Sequence, residues 1–173
     1  MRMSKSMEPF QYTIRPAAVS DAAVIAHHRV AMFRDMGQVA TDELGSQLLS
    51  ASTSALAALL LEGSYVGYLA IGADQSVIGG AGAHVRSQLP RISGDGTYVA
   101  TQSVPLLVNV YTEPQWRNRG IARALVVALM RWAAEKGVDQ VVLHASDAGR
   151  ALYTSLGFAG TNEMRWCPGR PPT

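Results

Sequence analysis

The chain has 173 residues and a mass of 18.5 kDa, which is typical of one globular domain and too short for two independent cores. Hydrophobic residues make up 48% and charged residues 16% of the sequence, so intrinsic disorder is excluded as its main state. A formal net charge of +2 is too mild to indicate a nucleic-acid partner, and the single Cys167 excludes an intrachain disulfide.

The first eleven residues carry Arg2 and Lys5 without a following apolar segment, so we expect no signal peptide there. The longest apolar run, residues 55–61, is far below the ~20 residues that span a bilayer, and we expect a soluble protein with no membrane partner. The sequence contains no Cys/His spacing of the kind that binds zinc, so we expect no metal. A single cysteine fits a reducing, cytoplasmic location best. The predicted division is a flexible leader (1–9), one domain (10–167) and a tail (168–173).

Helical and strand periods alternate along the chain without internal repeats, which predicts a mixed α/β domain. A strand over residues 10–15 comes first and ends at Pro16. Ser20 or Asp21 then caps a helix whose apolar residues share one face and which ends at Gly37.

A second helix begins at Thr41, and Ser54 is predicted to cap a third that ends at Gly63, forming a small helical hairpin. Residues 64–73 and 76–86 alternate Val, Tyr and Ile with glycines, which indicates two antiparallel strands.

Glycine, proline and serine mark residues 87–100 as a surface loop, and a buried strand follows over 105–112. Pro114 ends that strand, and the next helix is predicted from Gln115 to Gly137. Three elements complete the prediction: a strand over 140–144 in the middle of the sheet, a helix over 147–156 and a strand from 158 toward 166.

The helix predicted from Gln115 carries Arg117, Arg119 and Arg123 in its first turn, where cations oppose the helix dipole. An anion bound there would explain them, because a helix start offers free N–H groups and Gly120 lets the backbone approach a phosphate closely. A solvated, arginine-rich helix start explains the same residues equally well.

Two motifs carry a resemblance to a known family. Residues 117–122, Arg-Asn-Arg-Gly-Ile-Ala, match the pattern Gln/Arg-x-x-Gly-x-Gly/Ala, and residues 151–158 contain Leu-Tyr-x-x-x-Gly-Phe. With the Ile-Arg-Pro opening at 14–16, the chain resembles the GNAT superfamily of acyl-CoA-dependent N-acyltransferases from residue 10 to 166.

The resemblance implies an α/β fold with a central mixed sheet of about six to seven strands, mostly antiparallel and splayed between the fourth and fifth, flanked by about four helices. It also implies an N-acetyltransferase in which an acceptor amine attacks the thioester of acetyl-CoA directly. A homodimer is a family-level expectation.

The resemblance further implies an acyl-CoA site. Backbone amides of residues 117–122 would hold the pyrophosphate, and the strand over 108–112 would bond the pantetheine arm. Ser146 stands where many members have Asn, and Gly149 replaces a frequent Ala. The expected cofactor-binding residues are Val110, Tyr111, Thr112, Arg117, Asn118, Arg119, Gly120, Ile121, Ala122, Arg123, Ser146 and Tyr153.

Tyr153 occupies the family's position for the acid that reprotonates the CoA thiolate, a role that suits a phenol with an ordinary pKa of about 10. A tyrosine at the core edge is the alternative interpretation. Glu113 is one candidate for the general base, His84 and His144 are others, and a water chain could serve a free amine.

Acceptor contacts are expected from the first helix, through His28, Arg29 and Phe33, and from the loop over 87–101. Arg29 pairs an acceptor carboxylate in one interpretation and is a solvated helix arginine in the other. The sequence leaves open the acceptor, which is a small amine, an amino acid, an antibiotic or a protein N-terminus.

Two other functions compete with this one. The first is a non-catalytic CoA-binding sensor or regulatory module. The second is a nucleic-acid binder that uses Arg117, Arg119, Arg123 and Arg131, which ranks last because the chain lacks a strongly basic balance and interleaved exposed aromatics.

Overall fold

The computed structural model of the chain describes residues 11–100, 102–161, 163, 164 and 168. The leader over 1–9, most of the tail and the single cysteine therefore lie outside the described residues. The elements in chain order are β1 (Tyr12–Pro16), α1 (Ala22–Asp35), α2 (Asp42–Glu62), β2 (Tyr65–Gly72), β3 (Val77–Gln88), β4 (Arg91–Ile92), β5 (Tyr98–Val99), β6 (Gln102–Thr112), α3 (Ile121–Glu135), β7 (Val142–Leu143) and α4 (Asp147–Ser155).

Five strands form the main sheet in the order β1-β2-β3-β6-β7, antiparallel throughout except for the parallel β6-β7 pair. This confirms the mixed, mostly antiparallel sheet with four helices. Among the described residues the main sheet has fewer strands than expected, because residues 158–161, the start of the predicted last strand, are not a strand. The short strands β4 and β5 form a separate pair inside the predicted 87–100 loop. The rest of the predicted last strand lies partly outside the described residues.

Helices cover both faces of the sheet, each with its own apolar cluster. On one face, Ile25 of α1 and Leu56 of α2 pack on Leu69 of β2. On the other, Ile121 and Leu125 of α3 join a cluster that includes Ile78, Leu107 and Val126. The stripe predicted for the arginine-bearing helix is therefore the side that packs on the sheet.

The prediction of two helices over 41–63 was wrong, because α2 is one helix of 21 residues. Thr41 does cap it, accepting a hydrogen bond from the Leu44 amide, and Gly63 ends it with a left-handed φ of +75°. Ser54 lies inside the helix, where a serine costs little. By length and composition alone α2 could cross a membrane, a test that helices of soluble proteins also pass.

Two further boundaries differ from prediction. The helix expected from Gln115 begins at Ile121, since Pro114–Trp116 form a separate 3-10 turn. The strand expected over 140–144 is reduced to the two residues of β7, which among the described residues lies at the edge of the sheet rather than in its middle. Apolar runs this short cannot distinguish an edge strand from a central one.

Candidate active site

Strands β6 and β7 separate after two pairs of residues. Leu106 pairs with Val142 and Leu107 with Leu143, whereas β6 continues to Thr112 along β3. Over residues 108–112 the side of β6 that faces away from β3 is therefore unpaired within the described chain. The predicted splay between the fourth and fifth strands is confirmed, and it leaves a row of backbone N–H and C=O groups available to a ligand.

A bulge in β6 marks the point of separation. The register with β3 shifts between Gly80 and Gly82, and Asn109 has a left-handed φ of +55°. As a result Val108 and Asn109 both lie toward α1, whereas Val110 packs in the cluster under α3. Bulges of this kind reorient side chains next to functional sites.

Asn109 is the centre of a buried polar network that the sequence analysis missed. Its Oδ1 accepts a hydrogen bond from Arg29 Nη1 at 2.6 Å, and its Nδ2 donates to Tyr65 Oη at 3.3 Å. Burial raises the pKa of Tyr65 to about 12, so the phenol is protonated at neutral pH. A Cβ on Gly82 would lie 1.8 Å from Tyr65 Oη, so the glycine makes room for this hydroxyl.

The segment between β6 and α3 presents backbone amides without helical partners. Asn118 and Gly120 have left-handed φ angles of +60° and +78°. The first bond of α3 runs from the Ala124 amide to the Gly120 carbonyl, so the amides of Ile121, Ala122 and Arg123 have no acceptor within the helix. Apart from the two chain neighbours of Gly120, no described residue has an atom within 4 Å of a Cβ built on it. This turn can therefore accept a phosphate closely.

Two arginines expected in the first helical turn lie before it. Arg117 Nη2 pairs with Asp35 Oδ2 at 2.5 Å, and its Nε donates to the Thr112 carbonyl at 2.9 Å. The guanidinium of Arg119 lies over the ring of Trp116, 5.1 Å from its centre. These arginines thus do not oppose the helix dipole in the way the sequence suggested.

Only Arg123 stands in the first turn of α3, and it donates to Ser155 Oγ of α4 at 2.8 Å. It therefore joins the two helices that carry the predicted CoA motifs. On β6, the hydroxyl of Thr112 is buried without a hydrogen-bond partner among the described residues. An orphaned hydroxyl on the free segment of β6 fits a site that a ligand completes.

Tyr153 lies on α4, half-buried in the cluster that includes α3 residues. Its ring meets Phe158 edge-on at 5.8 Å between centres, and burial raises the pKa of its phenol. Ser146 caps α4 by accepting the Gly149 amide at 3.2 Å. A Cβ on Gly149 would lie only 2.9 Å from the Tyr153 ring, which explains the glycine where the family often has alanine.

Glu113, at the end of β6, is brought to α1. Its Oε1 lies 3.4 Å from Nε2 of His28, and the His28 ring lies 5.2 Å from that of Tyr111. His28 is 3% exposed, and burial, with a contribution from the charge of His27, lowers its pKa to about 4. The imidazole is therefore neutral at pH 7, and its Nδ1 is buried without a partner among the described residues.

The other candidate bases lie apart from this group. His84 is on β3 opposite Leu106, four residues along the strand from Gly80. His144 is half-exposed, with Nδ1 3.7 Å from Glu163. Within the described residues no group of three or more His, Cys, Asp or Glu side chains is placed to hold a metal.

Three predicted acceptor residues share α1. Arg29 follows His28 and reaches Asn109, and its guanidinium also lies over the Phe33 ring, 4.9 Å from the centre. The hairpin of β4 and β5 is anchored through Arg91 to Asp139 at 2.8 Å, near the start of β6. It thus lies at the opposite end of β6 from the turn over 117–120.

Comparisons with known proteins agree with this geometry. The model of the Acetyltransferase (GNAT) family matches residues 30–158. The aminoglycoside N(6')-acetyltransferase type 1 of Stenotrophomonas maltophilia is 28% identical over 160 residues, covering 88% of this chain and 89% of that protein.

Two solved structures share the fold. A GCN5-related N-acetyltransferase from Ralstonia eutropha JMP134 is 28% identical with a TM-score of 0.78, over 91% of this chain and 98% of that one. A protein from Clostridium acetobutylicum, described as a predicted acetyltransferase and solved with acetyl-CoA, is 24% identical with a TM-score of 0.75, over 91% and 96%.

Proposed function

The chain belongs to the Acetyltransferase (GNAT) family, and we propose that the gap between β6 and β7 is where an acceptor amine attacks the thioester of acetyl-CoA. It is an N-acetyltransferase that uses acetyl-CoA as its co-substrate. The observation that supports the proposed location is the unpaired edge of β6 over 108–112, which leads directly into the turn with unpaired amides.

In this proposal the backbone binds most of acetyl-CoA. The N–H and C=O groups that β6 directs away from β3 over residues 110–112 bond the amides of the pantetheine arm, as an added strand would. The Thr112 carbonyl is the exception, because it already accepts from Arg117 Nε. The amides of residues 118–123 bind the pyrophosphate, and the dipole of α3 favours the negative charge there. Arg117 shares its charge with Asp35, so we assign it mainly to holding the turn against α1.

The chemical step needs one proton donor and one proton acceptor. The amine nitrogen attacks the thioester carbonyl carbon, the C–S bond breaks, and the thiolate takes a proton from Tyr153 Oη. Because burial raises the pKa of Tyr153, its phenol holds this proton at neutral pH. Before attack the acceptor ammonium loses one proton to Glu113, directly or through water. After attack the nitrogen loses a second proton, which returns to the Tyr153 phenolate through water, so that the overall reaction releases one proton.

His28 supports this assignment of the base. Its ring is neutral at pH 7 and contacts Glu113 at 3.4 Å, so it adds no positive charge that would weaken the carboxylate as a base. Tyr111 lies against the same ring and helps to keep it in place.

The proposal also covers the acceptor amine, the cellular location and the oligomeric state of the protein. The name of the Stenotrophomonas maltophilia relative makes an aminoglycoside one amine class to test as the acceptor. We propose that the protein is cytoplasmic and forms a homodimer. Light scattering on the purified chain measures its oligomeric state.

The experiment that tests the proposed function measures two quantities on the purified protein. Calorimetric titration gives the affinity for acetyl-CoA, and a thiol reagent follows CoA release with a panel of amines. We expect binding together with amine-dependent thiol release. Binding with no release for any amine would instead support a CoA-binding sensor, and no binding would overturn the assigned site.

A further inference from the structure

Arg29 stands at the point where β6 leaves β7. It lies in the middle of α1, half-buried, and its Nη1 reaches the Asn109 side chain at the bulge. The bulge itself turns Asn109 toward α1, so the guanidinium sits beside the base of the gap that receives the thioester in the proposed function.

The charge of Arg29 is not neutralised within the described chain. Its contacts there are the neutral Oδ1 of Asn109 and the face of the Phe33 ring. A guanidinium has five N–H donors, and Asn109 accepts from one nitrogen. Four other arginines do pair with carboxylates: Arg15 with Asp21, Arg34 with Asp42, Arg91 with Asp139 and Arg117 with Asp35.

This arrangement is costly without a ligand. Burial lowers the pKa of Arg29, which means that the surroundings disfavour its charged form. A half-buried cation with spare donors normally has an anionic partner, and Arg is the side chain best suited to binding a carboxylate or a phosphate through two parallel bonds.

The neighbouring groups leave that partner to be supplied from outside. Asn109 fixes one edge of the guanidinium, and the buried Tyr65 hydroxyl in turn holds Asn109. The ring of Phe33 covers one face, so the remaining N–H groups are left for a ligand that approaches along the α1 side of the gap. Glu113 lies on the same side, next to His28, and carries the opposite charge.

We propose that the acceptor is a small amine that also carries a carboxylate or phosphate group, and that Arg29 binds this anionic group. The inference rests on the proposed function and adds the class of its second substrate. Arg29 orients the anionic end while Glu113 faces the ammonium end, so the amine is directed toward the thioester. A polycationic acceptor would place positive charge against an unneutralised guanidinium, which is unfavourable.

The test compares matched pairs of amines with acetyl-CoA at saturation. Each pair differs in the anionic group: amino acids against their amides for the carboxylate, and glucosamine 6-phosphate against glucosamine for the phosphate. An aminoglycoside is included as the polycationic acceptor. We expect kcat/KM for at least one anionic member to exceed that of the partner that lacks the anionic group by about tenfold or more.

Variants on α1 assign the preference to Arg29. Arg29→Gln should reduce the ratio within the pair to near one while leaving the Kd for acetyl-CoA unchanged, and Arg29→Lys should retain part of it. Arg34→Gln is the matched control, because Arg34 is exposed on the same helix and pairs with Asp42. If Arg29→Gln does not fold, the kcat/KM ratios within each amine pair, measured for the wild type and for Arg29→Lys, still test whether the anionic group is preferred and whether Arg29 is responsible.

The outcomes separate this inference from the proposed function. Thiol release with the aminoglycoside but with no anionic amine would overturn the inference and leave the function standing. An equal loss of kcat/KM for both members of a pair in Arg29→Gln would also overturn it, because that pattern indicates a structural role. Absence of thiol release with every amine would overturn the function itself.

Discussion

The two sides of β6 pack against different kinds of residues: mostly apolar side chains toward α3, and several buried polar groups toward α1. Toward α3, Leu107 and Val110 pack in an apolar cluster with Leu125. Toward α1, Asn109 and His28 are buried polar groups. Buried polar groups cost free energy unless they are fully bonded, so the α1 face is not arranged for stability alone. We infer that the α3 side of β6 serves stability, whereas the α1 side combines an apolar cluster of its own with polar groups that serve the acceptor.

Tyr153 places a hydroxyl group in the mostly apolar cluster on the α3 side, and removing that hydroxyl should have the largest effect on kcat. Tyr153→Phe keeps the ring that packs on Phe158 and deletes only the proton donor. Steady-state kinetics should show kcat lower by roughly 10²–10⁴-fold, with the Kd for acetyl-CoA within about twofold of wild type. Tyr98→Phe, at an exposed tyrosine of β5, is the control. An unchanged kcat would mean that water protonates the thiolate.

The polar face should make stability depend on pH. The pKa of His28 is lowered to about 4 in the folded protein, against about 6.5 when unfolded, so the unfolded state binds more protons between these values. The stabilisation present above pH 6.5 is therefore lost as pH falls toward 4, by up to about 3 kcal/mol.

His28→Phe should remove this dependence. At pH 7.5 we expect its free energy of unfolding to be within about 1 kcal/mol of wild type, because Nδ1 has no partner to lose among the described residues and the lost contact of Nε2 with Glu113 is long, at 3.4 Å. Urea denaturation at pH 7.5 and 4.5 measures the difference, with His27→Gln, at the exposed neighbour, as the control. An identical loss on acidification in wild type and His28→Phe would contradict the assignment.

The turn that precedes α3 tests the cofactor end of the apolar side. Gly120→Val places a β-branched residue at a φ of +78° and puts side-chain atoms where the phosphate approaches. Calorimetric titration should show the Kd for acetyl-CoA raised by about tenfold or more. Gly96→Val imposes a similar left-handed φ, +85°, in the β4-β5 turn and should leave that Kd unchanged. Equal Kd values for the two variants would refute the placement.

Gly149 gives the smallest and most specific effect. Gly149→Ala brings a Cβ to 2.9 Å from the Tyr153 ring, so the ring must move while the phenol remains. We expect a severalfold fall in kcat without loss of acetyl-CoA binding. In the Tyr153→Phe background the same change should have little further effect on kcat. Independent, multiplicative effects would show that Gly149 acts by another route.

The sequence predicted the apolar side better than the polar side. Residues 117–122 and 151–158 are local motifs, and hydrophobic spacing identified the stripe of α3 that packs on the sheet. It did not predict that Pro114–Trp116 would form a separate turn, because a proline marks a break without fixing how far the next helix is delayed.

The polar network was missed because its members are far apart in sequence. Tyr65, Asn109 and Arg29 come from three elements, and only the pairing of β2, β3 and β6 brings them together. A signal was present, since Asn109 interrupts the apolar run Leu-Leu-Val-Asn-Val-Tyr, where a buried amide needs a partner. The left-handed φ that creates the bulge cannot be deduced from that run.

The most direct test of the account is a titration of the isotope-labelled protein with acetyl-CoA, followed through its backbone amide chemical shifts. We expect the largest changes on residues 108–112 and 118–123, along the free edge of β6 and the start of α3. A different cavity lies between α3 and the chain before β7, lined by Met130, Val138 and Phe158. Changes concentrated there, with residues 108–112 and 118–123 unaffected, would contradict the account.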